Sequence, residues 1–186
     1  MKKLDHMTPD ELGQLFPVEL ADYNPEWPAV FEKEKNRILS GSWENEKISL
    51  EHIGSTAIPG MIAKPCIDMI ALIDRNTGIP GLREHLAELG YHSIPKPENP
   101  PPHLMFVKGY TLQGFQGQAF HIHVRYERDP DEIIFRDFLV DHHDLAEEYK
   151  KLKIKLAGIH KFNREHYTEA KNDFVKRINC MARAEQ

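Results

Sequence analysis

Hydrophobic residues recur at three- and four-residue steps in several stretches of the chain, which is the spacing of an amphipathic helix. An early example, Trp27 to Ile38, predicts a helix ending at about Leu39. Before it, Thr8-Pro9-Asp10-Glu11 combines a threonine N-cap, a proline at the first helical position and a glutamate three residues after the cap. These signals predict a short helix to about Phe16, and we interpret residues 1–16 as a candidate N-terminal helical extension.

Alternating and continuous apolar patterns predict the strands. Residues 47–53 alternate, so that Leu50 and His52 share one face while Glu51 and Ile53 share the other. The segment 65–73 is almost entirely apolar, as expected of a central strand covered on both faces. Further strands are predicted at about 91–94, 103–107 and 118–126, the last two joined through the glycine-rich loop GYTLQGFQG.

The second half of the chain is dominated by helical patterns. After one helix over about 82–89 comes the proline-rich connection 95–103, and the later helices are predicted at about 129–140, 142–156 and 163–184. Strands thus come first and helices last. This order predicts a single α+β domain over residues 1–186, with a mixed or antiparallel sheet of about five strands flanked by helices and a C-terminal helical segment.

Composition narrows the class of protein. A formal net charge of −5 and a pI near 6.1 give no overall electrostatic attraction to duplex nucleic acid, although a local basic pocket stays open. The chain has no apolar run of about 18 residues and no apolar segment after its first lysines, so we expect a cytoplasmic protein that does not enter a membrane. Cys66 and Cys180 are expected to be reduced thiols that serve as small packing residues.

The stretch from Gly54 to Lys64 carries the first candidate chemistry. Gly54-Ser55-Thr56 lies where a strand ends, and backbone N–H groups and hydroxyls in such a turn can hold a phosphate. Lys64 adds a cation before the next strand, suited to phosphate oxygens. The plain alternatives are ordinary turn chemistry and a solvated lysine.

Asp68 is conspicuous because a carboxylate in a central strand costs several kcal/mol unless a cation, a metal or good donors compensate it. It is therefore a candidate metal ligand, general base or ion-pair partner. On a later strand, His121, His123 and Arg125 share one face and are suited to phosphate or metal binding. The alternative for that row is the solvent-facing side of an edge strand.

Several motifs together resemble the GrpB family. They are Tyr-Asn-Pro-Glu-Trp at 23–27, the long motif from Glu51 to Asp68, His-x-His-Val at 121–124 and Phe-Arg-Asp-Phe-Leu at 135–139. The resemblance covers roughly residues 17–182. It implies a nucleotidyltransferase-like fold and brings no established cellular function with it.

In the wider nucleotidyltransferase superfamily, a glycine-serine turn precedes a strand whose acid-x-acid pair holds divalent metal. Gly54-Ser55 and Asp68 match the first parts, but Ile70 replaces the second acid. Mg²⁺ or Mn²⁺ is the metal that the resemblance implies. If Glu51, His121 or His123 completes the site with Asp68, the mixed nitrogen and oxygen ligands favour Mn, Fe, Ni or Zn.

Two functions lead from these observations. In the first, the protein transfers a nucleotidyl or phosphoryl group: Gly54, Ser55, Thr56, Lys64 and Arg125 hold phosphates, while Asp68, Lys64 and His123 are catalytic. In the second, a non-catalytic relative of the same fold binds a nucleotide or another phosphorylated small molecule, which Ile70 favours. Histidine-based phosphate chemistry on His-x-His, and a helical interaction surface over 131–184, rank behind them.

Overall fold

The computed structural model of the protein describes residues 4–40, 48–126 and 130–185. Its strands are β1 (Ile48–Ile53), β2 (Cys66–Ile73), β3 (His92–Pro95), β4 (Leu104–Thr111) and β5 (Gly114–Arg125). Its helices are α1 (Pro9–Leu15), α2 (Trp27–Leu39), α3 (Ile79–Glu88), α4 (Asp131–Asp141), α5 (His143–Ile159), α6 (Arg164–Glu169) and α7 (Asn172–Ala184). Lys47 and Asp129, the predicted first residues of a strand and of a helix, lie outside the described residues.

The five strands form one mixed sheet in the order β1-β2-β5-β4-β3. The central pair β2 and β5 is parallel, and every other neighbouring pair is antiparallel. The predicted α+β class and the five-stranded mixed sheet flanked by helices are therefore confirmed. A parallel central pair matters for function because it aligns Asp68 with His121 across the two strands.

The two larger cores lie in different parts of the protein, one on the sheet and one among the C-terminal helices. Phe31 of α2 and Leu86 of α3 pack in one core with the sheet residues Leu50, Met69 and Ile122. A second core is formed mainly by the C-terminal helices, whose members include Phe138, Tyr149, Phe174 and Ile178. The amphipathic pattern of α2 predicts its buried face correctly, and α1 begins with the predicted capping box between Thr8 and Glu11.

The predicted loop between β4 and β5 is wrong, because the two strands continue through most of it. Gly109 has φ of +91°, lies at an irregularity between Lys108 and Tyr110, and packs so tightly that an added Cβ would come within 2.8 Å of the Gln118 carbonyl oxygen. A glycine at such a bulge keeps the ladder intact rather than ending it. The extension places Tyr110 in the sheet beside β5.

The predicted single helix over 163–184 is also wrong. The chain forms α6, then a turn at Ala170 and Lys171, then α7. Neither glycine nor proline marks this break in the sequence. The turn leaves the Lys171 Nζ 4.4 Å from the centroid of the Tyr167 ring.

Two further expectations concern the surface of the protein. Cys66 is buried as predicted, but Cys180 is exposed and therefore is not a packing residue. Within residues 4–40, 48–126 and 130–185, every helix is too short or too polar to cross a membrane.

Glu34, a nearly buried residue of α2, supplies a stability test. Its Oε1 accepts hydrogen bonds from Lys108 Nζ at 2.6 Å and from Tyr91 Oη at 3.0 Å. These bonds connect α2 to β4 and to the residue that precedes β3. Replacing Glu34 with alanine should lower the free energy of unfolding by about 3 kcal/mol, because it leaves Lys108 without its partner. Urea denaturation measures this loss.

Glu32→Ala is the control, since the exposed Glu32 forms a surface ion pair with Lys35 of the same helix, 3.7 Å away. We expect it to change stability by less than about 0.5 kcal/mol. The double variant Glu34→Leu, Lys108→Met should regain most of the stability. Equal losses in Glu32→Ala and Glu34→Ala would contradict the assignment.

Candidate functional site

Strands β1, β2 and β5 and the turn after β1 bring the predicted site residues together. Across the parallel pair, Asp68 lies opposite His121, and across the antiparallel pair, Asp68 lies opposite Ile53. Gly54 follows Ile53 directly, so the predicted phosphate-binding turn begins beside the Asp68 carboxylate. The predicted adjacency of the glycine-serine turn, the acid and the histidine row is thus observed.

A chain of hydrogen bonds runs outward from Asp68. His121 Nδ1 lies 2.9 Å from Asp68 Oδ1, and His121 Nε2 lies 2.7 Å from the hydroxyl of Tyr110. Arg164 Nη2 donates to the same hydroxyl at 3.1 Å. Because an ionised carboxylate only accepts, His121 donates from Nδ1 to Asp68, and Nε2 of the neutral imidazole accepts from the Tyr110 hydroxyl.

The protonation states agree with this arrangement. Burial lowers the pKa of His121, which leaves the imidazole neutral, as the bond from Tyr110 requires. Burial by itself would raise the pKa of Asp68, but hydrogen bonds from His121 and His123 hold that pKa well below its usual range. Asp68 is therefore a fixed carboxylate, 30% exposed and oriented by its imidazole neighbours.

Gly54 is required at its position by both its backbone and its neighbour. Its φ is +70°, and an added Cβ would lie 2.8 Å from Asp68 Oδ2. Thr56 is buried, and its hydroxyl is 2.9 Å from His52 Nε2 and donates to the Cys66 carbonyl oxygen. Its role here is to fix the turn. Burial raises the pKa of Tyr149, and a hydrogen bond with the Ser55 hydroxyl opposes that rise.

A cluster of basic side chains surrounds this carboxylate, and we call Lys64, Lys153, Arg164 and Lys171 the cationic cluster. Two of its members share one aromatic ring: the Nζ atoms of Lys64 and Lys171 lie 5.4 and 4.4 Å from the Tyr167 centroid. Lys153 is only 2% exposed and donates to the carbonyl oxygen of Ile62. Lys64 enters from the β2 side, and the other three come from the C-terminal helices.

Burial and mutual repulsion together lower the pKa values of the three lysines in the cationic cluster. Burial, then the Arg164 charge, lowers the pKa of Lys64 to about 8, although Asp68 opposes the shift. Burial, then the Lys64 charge, lowers the pKa of Lys171 to about 7. Burial, then Lys171 and Lys64, holds the pKa of Lys153 well below its usual range. One carboxylate does not neutralise four basic groups placed this closely.

Two predicted residues are engaged elsewhere. Arg125 is buried and pairs with Glu132, and its Nη1 also donates to the Val124 carbonyl oxygen at 2.8 Å. Glu51 accepts from Arg136 Nη1 at 3.1 Å. Their predicted roles in phosphate and metal binding remain predictions, and these pairings argue against them.

The donor set for a divalent metal fits poorly. Among the described residues, one group brings three ligating atoms within 4.8 Å of one another, and it consists of Cys66, Asp68 and His121. Burial raises the pKa of the Cys66 thiol, and the two His121 nitrogens already bond Asp68 and Tyr110. The positive charge of Lys64 also lies close enough to interact with Asp68 and Cys66. His123 Nε2 stands 3.8 Å from Asp68 Oδ1. A metal at this position would meet a thiol, one acid and like charge.

Sequence reasoning missed four participants: Tyr110, Lys153, Arg164 and Lys171. The glycine-rich segment that contains Tyr110 predicts a loop, so the sequence does not indicate this residue as part of the site. The three basic residues lie in the predicted C-terminal helical segments, where a lysine or arginine normally indicates a solvated face. Lys153 lies on the buried face of α5, between Tyr149 and Leu156, and this position in the helical period could have indicated a functional lysine.

Known proteins with similar sequences can now be compared. The family profile described as "GrpB protein" matches residues 17–180. The UPF0157 protein YqkA of Bacillus subtilis is 33% identical over 162 residues, which are 86% of this chain and 45% of that protein. A UPF0157 protein of Pseudomonas aeruginosa is 36% identical over 87% of this chain, a span equal to 66% of its own length. The chain thus spans about half to two thirds of these two relatives.

A weaker match is the dephospho-CoA kinase of Mycolicibacterium paratuberculosis, 25% identical over 159 residues, which are 74% of this chain and 39% of the kinase. Among solved structures, the crystal structure of the conserved protein GrpB from Enterococcus faecalis superposes with a TM-score of 0.75 at 26% identity, covering 88% of this chain and 96% of that one. Profile, sequences and fold agree over the strands and helices that build the site, and the chain belongs to the GrpB family.

Proposed function

We propose that this protein binds a phosphorylated small molecule, with the phosphate groups held by the cationic cluster. The observation that carries the proposal is the convergence of Lys64, Lys153 and Lys171 near the single carboxylate of Asp68, with Lys64 and Lys171 over the same Tyr167 ring and Arg164 bonded to Tyr110. Crowding like charges in a partly buried place is costly, and a multivalent anion removes that cost when it binds. Sites with strongly perturbed groups of this kind are often functional.

The ligand class has further support from the turn after β1. Gly54 and Ser55 border the Asp68 carboxylate, and Lys64 precedes the strand that carries it. The dephospho-CoA kinase among the relatives acts, by its name, on a phosphorylated nucleotide derivative. A phosphate-bearing metabolite is thus the class that both the charges and this relative favour.

Group transfer is the second candidate function, and the adjacency of Asp68 to the Gly54-Ser55 turn is the observation in its favour. Two features weigh against it. The low pKa of Asp68 makes this carboxylate a weak base, and Ile70, with 0% exposure, stands where a second acid would complete a metal pair. Binding is therefore the better supported function.

Titration with inorganic pyrophosphate tests the proposal directly. Calorimetry at neutral pH should detect binding to the unaltered protein, and Lys64→Gln and Lys171→Gln should each weaken the affinity by about tenfold, or about 1.4 kcal/mol. Lys155→Gln is the matched control, because Lys155 is an exposed lysine of α5. An absence of binding, or an equal loss in the control, would contradict the proposal.

Anion affinity should also depend on pH. Sulfate is a suitable probe because it stays a dianion between about pH 6 and about pH 9. Lys171 and Lys64, with pKa values of about 7 and about 8, lose their protons in that range, so sulfate affinity should fall by about tenfold or more as the pH rises. Asp68 and Tyr110 do not oppose this trend, since the pKa of Asp68 is lowered and that of Tyr110 is raised, and the lowered pKa of Lys153 acts in the same direction as those of Lys64 and Lys171.

The control for this profile is Lys171→Arg, because a guanidinium keeps its charge throughout the range. This variant should flatten the lower part of the pH dependence. A profile that is identical in Lys171→Arg and in the unaltered protein would show that Lys171 does not control anion affinity.

A substitution at Lys153 should affect stability and binding in opposite directions. The Lys153 ammonium is buried against the Ile62 carbonyl, and the lowered pKa means that folding works against this charge. Lys153→Met should therefore raise the midpoint of thermal unfolding by a few degrees while it weakens pyrophosphate binding. A variant that is less stable and binds pyrophosphate normally would identify Lys153 as a structural anchor.

A further inference from the structure

Aromatic side chains border the cationic cluster on the side of the β4–β5 hairpin. Phe115, at the start of β5, has 47% of its surface exposed, an unusual degree for a phenylalanine. Beneath it, Phe16 is only 2% exposed, and the two rings meet edge to face with centroids 5.0 Å apart. Tyr110 also contacts Phe115, with centroids 5.1 Å apart. The exposed ring is thus held by two neighbours.

Arg164 joins this aromatic surface to the cationic cluster. Its guanidinium carbon lies 5.8 Å from the Tyr110 centroid and 5.9 Å from the Phe115 centroid. It is fixed by hydrogen bonds to the Tyr110 hydroxyl at 3.1 Å and to the Phe16 carbonyl oxygen at 3.2 Å. The charge of Arg164 also lowers the pKa of Lys64, so the aromatic surface and the cationic cluster share this residue.

The rings of Tyr110 and His121 connect Phe115 to Asp68. Tyr110 stacks on His121 with centroids 5.6 Å apart, and His121 bonds Asp68. Phe115 therefore lies one aromatic ring beyond the imidazole.

We propose that the phosphorylated ligand is a nucleotide whose base stacks on Phe115 while its phosphates lie beside Lys64, Lys171 and Arg164. The proposal rests on the function proposed above and adds the class of ligand. Base stacking on an aromatic side chain tolerates any base, because every base has a π-face. A ring that its neighbours already hold in place loses little conformational freedom when a base covers it.

A simple phosphate or sugar phosphate would not need this surface. Its charges would be met by the cationic cluster alone, and the exposed ring would remain in water. Charge complementarity on one side and an exposed, fixed aromatic ring on the other therefore favour an amphipathic anion with a flat ring over a purely polar one.

The experiment compares ATP with inorganic triphosphate by calorimetry. The unaltered protein should bind ATP roughly tenfold more tightly than triphosphate, because one stacked base adds about that factor. Phe115→Ala should abolish the difference and leave triphosphate affinity unchanged. Ile154→Ala is the control, since Ile154 is 54% exposed on α5, and both affinities should stay as they were.

A second variant guards against a folding defect in Phe115→Ala. Phe115→Trp keeps a flat ring, so it should retain the preference for ATP, and stacking should quench the fluorescence of the new indole when ATP binds but not when triphosphate binds. The two native tryptophans, Trp27 and Trp43, give the background signal, which is measured in the unaltered protein.

The outcomes separate this proposal from the one on which it rests. If triphosphate and ATP both fail to bind, the phosphate site itself is refuted. If triphosphate binds as tightly as ATP, and Phe115→Trp shows no selective quenching, only the base site is overturned. If Phe115→Ala converts a dimer into a monomer without altering the preference for ATP, a second copy covers the ring and the base site is likewise overturned.

Discussion

The repulsion among four basic groups around one carboxylate is the interaction on which the site depends. Asp68 supplies the negative charge that lets these groups approach, and His121 and His123 keep it ionised. Its position is secured by the parallel pairing of β2 with β5 and by Gly54, where any side chain would collide with the carboxylate. The balance still leaves an excess of basic groups, and that excess is the basis of the proposed anion binding.

Two layers of the structure contribute different parts of this balance. The sheet provides the acid, the imidazoles and the tyrosine on its neighbouring strands β2, β5 and β4. The C-terminal helices provide three of the four basic residues: Lys153 from α5, Arg164 from α6 and Lys171 from the turn before α7. An anion bound between the layers would therefore also hold them together, and ligand binding should stabilise the fold.

The electrostatics also bear on chemistry. A metal-dependent transferase concentrates carboxylates, whereas this site has one carboxylate and several cations. Ile70 is fully buried where a second acid would stand, and Glu51 pairs with Arg136 instead of turning toward Asp68. The arrangement of charges thus favours the proposed binding over metal-assisted transfer.

The sequence by itself determined the elements and the chemistry of the strand residues. Period-two and apolar patterns placed β1 and β2, an isolated Asp68 in an apolar run indicated a compensated carboxylate, and alternation put His121 and His123 on one face. These are local properties, since side-chain direction follows from the period of the element. The family motifs from Glu51 to Asp68 indicated the same region.

Only the tertiary structure decided which distant groups meet there. The bulge at Gly109 keeps Tyr110 in the sheet, the break between α6 and α7 turns Lys171 over Tyr167, and burial makes Lys153 a charge that an anion can satisfy. Arg125 shares the face of the histidines but pairs with Glu132. A sequence pattern cannot supply such facts, because the partner of a charge and its distance from water depend on how separate elements pack.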